Sequence, residues 1–312
     1  MEERRLGWRD GAQGREGDAL DHDSGRLGGL LPVPRQTPDE AGGERAAAEP
    51  VPPVFPSGAN GLATSRDMEP AGLMPVLVDR RELVRSMNQV LEIDPRRTAV
   101  ITIDCHRGHL DLAVATMPLA PQAAASLVGE TARLLRFARA CGMSVIHVLT
   151  QNRILPHGQP EVLCNPFWAA VESTRQVLTP GRESTISRHN LVGTVQTQLM
   201  PELGPEPGDV TVDRKRRLSI FRDTDLDLTL RELGVDTVVL AGISTNTDVL
   251  CAAFESQNRD LQTIVVSDCV RSVHGDDLHF FALQDVARCL GWVLTLEELA
   301  AKVGASRAAA IR

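Results

Sequence analysis

Apolar positions along most of the chain follow two patterns, one typical of buried strands and one typical of amphipathic helices. The run TAVITID at 98–104 is short, β-branched and apolar up to its aspartate, as expected of a strand buried on both faces. Residues 120–142 have helical periodicity and end in glycine, which is a helix C-cap signal. The same patterns predict strands at 143–150, 209–212, 236–242 and 261–268, helices at 223–234, 247–260 and 277–291, and a closing segment at 292–299.

Strands that alternate with helices predict an α/β fold, here a single Rossmann-like three-layer α/β/α domain with a mostly parallel sheet. Ligands bind beyond the carboxyl ends of the strands in such sheets, so we expect a site near 103–106, 212–215 and 242–248. The segment 151–208 breaks the alternation. It is irregular and rich in proline, glycine, asparagine and arginine, with one short helix predicted near 167–176.

Composition separates the N-terminal region from this domain. Nine of the 19 prolines lie in residues 1–75, among glycine, alanine and charged residues. Such a stretch buries too little apolar surface to offset its chain entropy, so we expect a disordered Pro/Gly-rich tail there. The globular domain is expected at 76–305, and residues 306–312 are expected to form a short C-terminal tail.

Charge and composition exclude several classes of function. The 312 residues carry a net charge of −8, with 3% aromatic residues and no tyrosine, which disfavours nucleic acid or an anionic membrane as a partner. No apolar run approaches the roughly 18–20 residues that a membrane span needs, and no secretory signal is recognised, so a cytoplasmic protein is expected. The six cysteines are scattered without a CxxC pair, as expected of reduced thiols rather than of a disulfide framework.

Three residues near predicted strand ends are candidates for chemistry. Asp104 directly follows the first strand, where a carboxylate either points into the crevice or caps the next turn. Lys215 follows the strand at 209–212 within a basic run, where a lysine is either functional or a solvated charge. Asp248 lies in the first turn of a helix after a tight polar elbow, whose backbone N–H groups can bind an anion. An aspartate there is equally an N-cap.

Three ordered segments resemble the isochorismatase-like (cysteine hydrolase) superfamily, and they span roughly residues 95–300. They are TAVITIDCHRGHLD, KRRLSIFRDTDLDLTLRELGVDTVVLAGISTNTDVLC and FESQNRDLQTIVVSDCVRS. The GHLD variant and the tail DLHFFALQDVARCLGWVLT are most similar to the N-carbamoylsarcosine amidohydrolase branch. The resemblance implies a hydrolase of a small molecule that needs no cofactor and forms a homo-oligomer, a dimer or a tetramer.

The resemblance also implies a catalytic triad of aspartate, lysine and cysteine. Its aspartate corresponds to Asp104 and its lysine to Lys215. Its cysteine should follow Gly242 by six residues, and that position is Asp248. Two members of the triad are therefore matched in this chain. The aspartate at the cysteine position puts thiol chemistry in doubt.

Backbone features at the elbow are implied in the same way. The resemblance implies a cis peptide between Ile243 and Ser244, and an oxyanion site at the backbone N–H groups of Thr247 and Asp248. Cys251 is one helical turn further on and is expected to face the core rather than the crevice, so it is a poor substitute for the missing thiol.

Two carboxylates and an ammonium in one pocket suit acid–base chemistry. Like charges close together disfavour double ionisation, so one carboxyl can keep a proton and act as acid while the other activates water. The resulting hypothesis is a metal-independent hydrolase of a small polar metabolite, which cleaves the C–N bond of an amide, ureido or imine-like group, or a vinyl ether. Two alternatives stay open: an amidohydrolase made inactive by Asp248, and a non-catalytic binding or assembly protein on the same fold.

The segment 151–208 is expected to select the substrate. The candidate contacts are Arg153, Asn165, Phe167, Trp168 and His189, together with Asn246 at the elbow. Arginine suits a carboxylate-bearing substrate, although an ordered surface loop or an oligomer contact explains each residue equally well. Nicotinamidase-type relatives bind zinc through an Asp-x-His segment after the second strand, where this chain has TQNRILPHG. The histidines show no ligand spacing either, so no metal is predicted.

Overall fold

The computed structural model describes residues 81–174 and 185–310, so the tail predicted at 1–75 lies outside the described residues. The strands in these ranges are β1 Thr98–Ile103, β2 Ser144–Thr150, β3 Val210–Lys215, β4 Thr237–Ile243, β5 Gln262–Arg271 and β6 Trp292–Leu294. The α-helices are α1 Arg81–Val90, α2 Arg107–Leu110, α3 Pro121–Cys141, α4 Pro166–Thr174, α5 Leu226–Glu232, α6 Leu250–Gln257, α7 Asp276–Asp285 and α8 Leu296–Ala310. One turn of π-helix, Thr245–Val249, precedes α6, and another, Val286–Leu290, follows α7. None of the helices in these ranges combines the length and apolar character needed to cross a membrane.

The strands form one parallel sheet in the order β3-β2-β1-β4-β5-β6. The chain starts in the middle of the sheet at β1, adds β2 and β3 on one side, and then adds β4, β5 and β6 on the other. This reversal of strand order between β1 and β4 opens a crevice at their carboxyl ends, which is where ligands bind in such sheets. The predicted α/β fold with a mostly parallel sheet is confirmed.

Side chains on the two faces of the sheet pack into two separate cores. Within β1, Val100 belongs to one buried cluster, whereas Ala99, Ile101 and Ile103 belong to the other. Helices α3 and α8 contribute to the first cluster, and α5, α6 and α7 to the second. Both faces of the central strands are therefore covered, which explains why their sequences are apolar without alternation.

The elements differ from the prediction in three places. Strand β3 continues to Lys215, beyond the predicted 209–212, because it is an edge strand on which Asp213 and Arg214 face solvent. The segment 292–299 contains β6 and the first turn of α8, which runs on through residues 306–310 of the predicted tail. Helix α1 has no predicted counterpart, since most of its side chains are exposed and few apolar positions mark it.

Gly242, near the end of β4, allows a close approach between the two central strands. Its φ is +119°, and a Cβ atom there would lie 2.0 Å from the carbonyl oxygen of Ile103. The backbone of a buried strand has no room to shift, so we expect Gly242→Ala to lower the free energy of unfolding in urea by about 3 kcal/mol. Gly129→Ala on α3 is the control, because a Cβ there meets nothing within 4 Å. It should raise the same quantity by about 0.5–1 kcal/mol. Equal stability of the Gly242→Ala and wild-type proteins would contradict this strand spacing.

Candidate active site

Asp104, Lys215 and Asp248 meet at the carboxyl edge of the sheet. The ammonium of Lys215 lies between the two carboxylates, with Nζ 2.6 Å from Asp104 Oδ2 and 2.5 Å from Asp248 Oδ1. Lys215 is 1% exposed, so this contact is shielded from solvent. The structure thus brings together the three residues that the sequence singled out, which we call the triad.

Local backbone geometry aims each member of the triad. Asp104 directly follows β1 and has a φ of +52°, in the left-handed region that aspartate adopts more readily than most residues. Lys215 is the last residue of β3 and points inward, while Asp213 and Arg214 before it are exposed. Asp248 lies in the π-helical turn Thr245–Val249 directly after β4, and such turns frequently occur at functional sites.

The hydrogen bonds of the triad distinguish its two carboxylates. An ammonium has three N–H donors, and those of Lys215 are engaged by Asp104, by Asp248 and by the hydroxyl of Thr150 at 2.7 Å. Asp104 also accepts the backbone N–H of Thr150 at 2.7 Å and its hydroxyl at 3.0 Å. Asp248 accepts the Thr247 hydroxyl at 2.9 Å. The Asp248 side chain is 14% exposed and that of Asp104 is 4% exposed, so Asp248 is the carboxylate more open to a ligand.

The charge of Lys215 is fixed by its two neighbours. Burial alone would lower the pKa of its ammonium, but the charges of Asp104 and Asp248 and their hydrogen bonds outweigh burial and raise that pKa above its ordinary value. Lys215 therefore stays protonated at neutral pH and cannot serve as a general base. Its role in this geometry is to hold the two carboxylates close together.

The elbow between β4 and α6 has the backbone form that the resemblance implies. The peptide bond between Ile243 and Ser244 is cis. The N–H of Thr247 donates to the carbonyl of Ser244 at 3.1 Å, so this donor is engaged within the elbow itself. The oxyanion role of the Thr247 and Asp248 N–H groups stays a prediction.

Three buried histidines, His106, His109 and His189, lie beside the triad, and we call them the histidine layer. The ring of His109 stacks on His106 with centroids 5.0 Å apart and lies 4.7 Å from that of His189. Asn190 joins the layer through Nδ2, which is 2.7 Å from His106 Nε2 and 2.9 Å from His189 Nε2. His106 Nε2 is also 3.7 Å from Asp104 Oδ1. Burial lowers the pKa of all three imidazoles, so the layer is an uncharged polar wall of the site at neutral pH.

Neutral buried histidines make the fold sensitive to acid. Burial also lowers the pKa of His279 to about 4, and its Nδ1 lies 2.8 Å from the hydroxyl of Thr245. A histidine with a lowered folded-state pKa binds its proton more readily in the unfolded chain. Its stabilising contribution is complete above the unfolded pKa of about 6.5 and is lost as the pH falls toward the folded-state value. We expect the free energy of unfolding to fall between pH 7 and 5, by up to about 1.4 kcal/mol per pH unit for each such histidine.

The contribution of one histidine can be isolated by substitution. Gln in place of His279 keeps a hydrogen-bonding side chain, so urea denaturation of His279→Gln should show a shallower decline below pH 6.5. His157→Gln is the control, because His157 is exposed and hydrogen-bonds only locally to Gln159 at 3.2 Å. Identical pH slopes for the wild type and His279→Gln would contradict this assignment.

The two cysteines nearest the triad in sequence, Cys105 and Cys251, both have thiols whose pKa is raised, chiefly by burial. All six cysteines lie within the described residues and none forms a disulfide bond. Cys251 is half-buried, whereas the sequence predicted that it faces the core, because the start of α6 lies at the rim of the sheet. Burial, followed by the charges of Glu255 and Asp248, raises the pKa of its thiol to about 11. Cys105 follows Asp104 but is buried in the core of the first cluster, as strand alternation predicts.

Four of the predicted substrate contacts have structural partners away from the triad. Arg153 pairs with Glu161 through Nε at 2.9 Å and Nη2 at 2.8 Å. Asn165 accepts the N–H of Phe167 at 2.9 Å at the start of α4. Phe167 is 62% exposed, and Trp168 packs partly buried against the core. Within the described ranges none of the four hydrogen-bonds to the triad, so their contact with a substrate stays a prediction.

The other two predicted contacts lie closer to the triad. His189 belongs to the histidine layer, and its Nδ1 lies 2.9 Å from the hydroxyl of Thr116. Asn246 shares the π-helical turn with Asp248, and its Oδ1 accepts the hydroxyl of Ser272 at 2.6 Å. Their contact with a substrate stays a prediction.

Sequence reasoning missed four residues of the site: Thr150, Asn190, His106 and His109. Thr150 contacts both Asp104 and Lys215, and its position at the carboxyl end of β2 was a usable signal. Asn190 and His106 meet across 84 positions of sequence, and no local pattern marks that contact.

Some side-chain nitrogens near the site are engaged by protein groups, whereas His106 Nδ1 has no hydrogen-bond partner among the described residues. Among the engaged atoms, His109 Nδ1 lies 2.8 Å from the carbonyl oxygen of Met117. In residues 81–174 and 185–310, no group of three His, Cys, Asp or Glu side chains is arranged to hold a metal ion. Metal independence remains a prediction from the sequence.

Comparisons with known proteins cover the whole sheet and the triad. The isochorismatase domain family matches residues 98–298. Maleamate amidohydrolase of Pseudomonas putida is 30% identical over 206 residues, which cover 65% of this chain and 85% of that protein. Ureidoacrylate amidohydrolase RutB of Methylobacterium radiotolerans is 30% identical over 214 residues, which cover 65% of this chain and 78% of that protein.

Solved structures agree with these matches. A cysteine hydrolase from Pseudomonas syringae pv. phaseolicola has a TM-score of 0.56 at 22% identity, over 69% of this chain and 96% of that chain, which shows the shared fold. An isochorismatase family protein from Burkholderia thailandensis has a TM-score of 0.51 at 30% identity, over 68% of this chain and 98% of that chain. The chain therefore belongs to the isochorismatase family, within the isochorismatase-like superfamily of hydrolases.

Proposed function

We propose that the chain is a metal-independent hydrolase that cleaves the C–N bond of a small polar amide or ureido compound, with two carboxylates in place of a thiol nucleophile. The observation that carries the proposal is the Lys215 ammonium bridging Asp104 and Asp248 at 2.6 and 2.5 Å. Two relatives of the chain are named amidohydrolases, which supports an amide as the target.

We assign the general-base role to Asp248. Its side chain is more exposed than that of Asp104. It also accepts fewer hydrogen bonds, from Lys215 and Thr247, whereas Asp104 accepts one from Lys215 and two from Thr150. Asp104 and Lys215 are then positioning residues, because they fix the Asp248 carboxylate and set the charge around it. An aspartate attacking an amide directly would form a high-energy anhydride, which favours water as the nucleophile.

The proposed reaction uses one water molecule. The water oxygen bonds to the carbonyl carbon while Asp248 takes a proton from it. The C–N bond then breaks, and the proton passes from Asp248 to the departing nitrogen. The products are a carboxylic acid and ammonia or an amine, and Asp248 returns to its starting state. Proton transfer by a positioned side chain contributes about 10²–10⁴-fold to such a rate.

The substrate is held, in this proposal, at the start of α6 beside the histidine layer. The helix start and the N–H of Asp248 favour the carbonyl oxygen as negative charge develops on it. His189 and Asn246 are the proposed polar contacts, since one lies in the histidine layer and the other in the turn of Asp248.

The test is product release from a panel of probe compounds: maleamate, ureidoacrylate and a vinyl ether such as isochorismate, followed by NMR. The wild-type protein should hydrolyse at least one C–N compound. Its rate should be unchanged after iodoacetamide has alkylated the exposed Cys164 and Cys289. If the protein cleaved the vinyl ether alone, the same residues would be assigned to hydrolysis of that bond instead of a C–N bond. Loss of amide turnover on alkylation, or no turnover of any compound, would contradict the proposal.

A further inference from the structure

A cleft of about 530 Å³ lies outside the triad, beyond the end of β3. Five arginines line it: Arg153, Arg214, Arg216, Arg217 and Arg222. Glu161 and Asp223 are its acidic residues, and no member of the triad lines it. We call this feature the arginine cleft.

The sign of the charge in the arginine cleft opposes that of the whole chain. The chain has a net charge of −8, whereas the cleft has five positive and two negative side chains. Clefts lined by one sign of charge concentrate ions of the opposite sign. The local field therefore favours anions at this point of an otherwise acidic protein.

The acidic residues leave part of this positive charge unpaired. Glu161 binds Arg153 through both of its oxygens, and it lies 3.7 Å from Arg216. Asp223 lies 3.4 Å from Arg222.

The remaining two arginines have no acidic partner in the part of the chain that the structure describes. The Arg217 guanidinium donates there to a single acceptor, the carbonyl of Arg216, at 2.7 Å. The Arg214 guanidinium has neither a hydrogen bond nor an ion pair among the same residues. Both side chains are exposed, so their donors are available to a ligand.

We propose that the arginine cleft binds a small ligand that carries at least two oxyanion groups, either carboxylates or phosphates. The planar fork of a guanidinium matches the paired oxygens of these groups, and several guanidinium groups around one cavity suit a ligand with more than one of them. The cavity volume is that of a small-molecule site. The net negative chain and the paucity of aromatic residues disfavour nucleic acid as the source of phosphate.

The position of the cleft links it to the triad without overlap. Arg216 directly follows Lys215, and its guanidinium donates to the carbonyl of Gln151, which directly follows Thr150. The cleft is thus adjacent to two groups of the active site, where β2 and β3 end. A ligand bound there lies next to the site, and its binding does not depend on the proposed hydrolysis.

The test is titration calorimetry of the full chain with two probes, pyrophosphate and citrate. At least one probe should bind saturably in a 1:1 ratio, with an affinity that falls several-fold when NaCl is raised from about 50 to about 250 mM. Arg214→Gln/Arg217→Gln should weaken binding about 10-fold or more. The matched control is Arg136→Gln/Arg288→Gln, which removes the same two charges from exposed arginines outside the cleft. It should change the affinity less than twofold.

A second variant removes a negative charge from the cleft and is expected to have the opposite effect on binding. Asp223→Asn removes a negative charge from the rim, and asparagine tolerates the φ of +59° found there. It should tighten binding of the probe several-fold. The proposal is overturned if neither probe binds the wild type, if the cleft and control variants lose affinity equally, or if Asp223→Asn weakens binding.

Discussion

Asp248→Asn is expected to reduce kcat for C–N hydrolysis about 10³-fold, because it removes the proton acceptor while keeping the size of the side chain. The amide oxygen of asparagine can still accept from Lys215, which lies 2.5 Å from Asp248 Oδ1 in the wild type. KM should therefore change only a few-fold, and the loss should fall on the chemical step. Steady-state rates of ammonia release measure both quantities.

The control for this prediction is a carboxylate on the same edge of the sheet. Asp213 is exposed on β3, two residues before Lys215, and does not contact the triad. Asp213→Asn should keep kcat within about twofold of the wild type, as substitutions away from a site usually do. If Asp248→Asn also kept wild-type kcat, Asp248 would not be the general base.

Lys215→Met should lower the free energy of unfolding by about 3–5 kcal/mol, since loss of one partner leaves buried charge unpaired. Methionine matches the lysine side chain as far as its Cε atom, so the effect comes mainly from the two carboxylates left facing each other without the ammonium. Urea denaturation at neutral pH measures the loss.

Two further variants separate this electrostatic effect from a packing effect. Lys302→Met changes the only other lysine of the sequence, which is half-buried and donates to the carbonyl of Asn88. It should lower the free energy of unfolding by about 1 kcal/mol or less. Asp248→Asn added to Lys215→Met removes one of the repelling charges and should restore part of the lost stability. A double variant less stable than Lys215→Met would show that the charges do not repel.

The parallel sheet was predictable, although its strand order was not, because every central strand is apolar on both faces. That pattern placed β1 and β4 within a parallel sheet, and the carboxyl ends of such strands are where ligands bind. This rule made Asp104 and Lys215 candidates, and the resemblance assigned them to the triad. The tight polar elbow after β4 made Asp248 a candidate. The resemblance added that Asp248 occupies the position of the family's cysteine.

The remaining residues of the site depend on contacts that no local pattern encodes. Thr150 ends β2 as an ordinary polar residue, and only the fold brings its hydroxyl within 2.7 Å of Lys215 Nζ. His106 and His189 become neighbours because the residues around His189 and Leu199 lie against the segment that follows β1, where Leu199 pairs with His106. The prediction that Cys251 faces the core was wrong, because a helical turn at the rim of a sheet leaves its side chain half-buried.

The central claim is that Asp248, rather than a thiol, carries out hydrolysis. It is tested most directly by the rate of C–N hydrolysis by the wild-type protein and Asp248→Cys, each before and after iodoacetamide. We expect the wild type to be active and insensitive to alkylation. Activity confined to Asp248→Cys, and abolished there by iodoacetamide, would contradict the account and identify the wild type as an amidohydrolase that has lost its nucleophile.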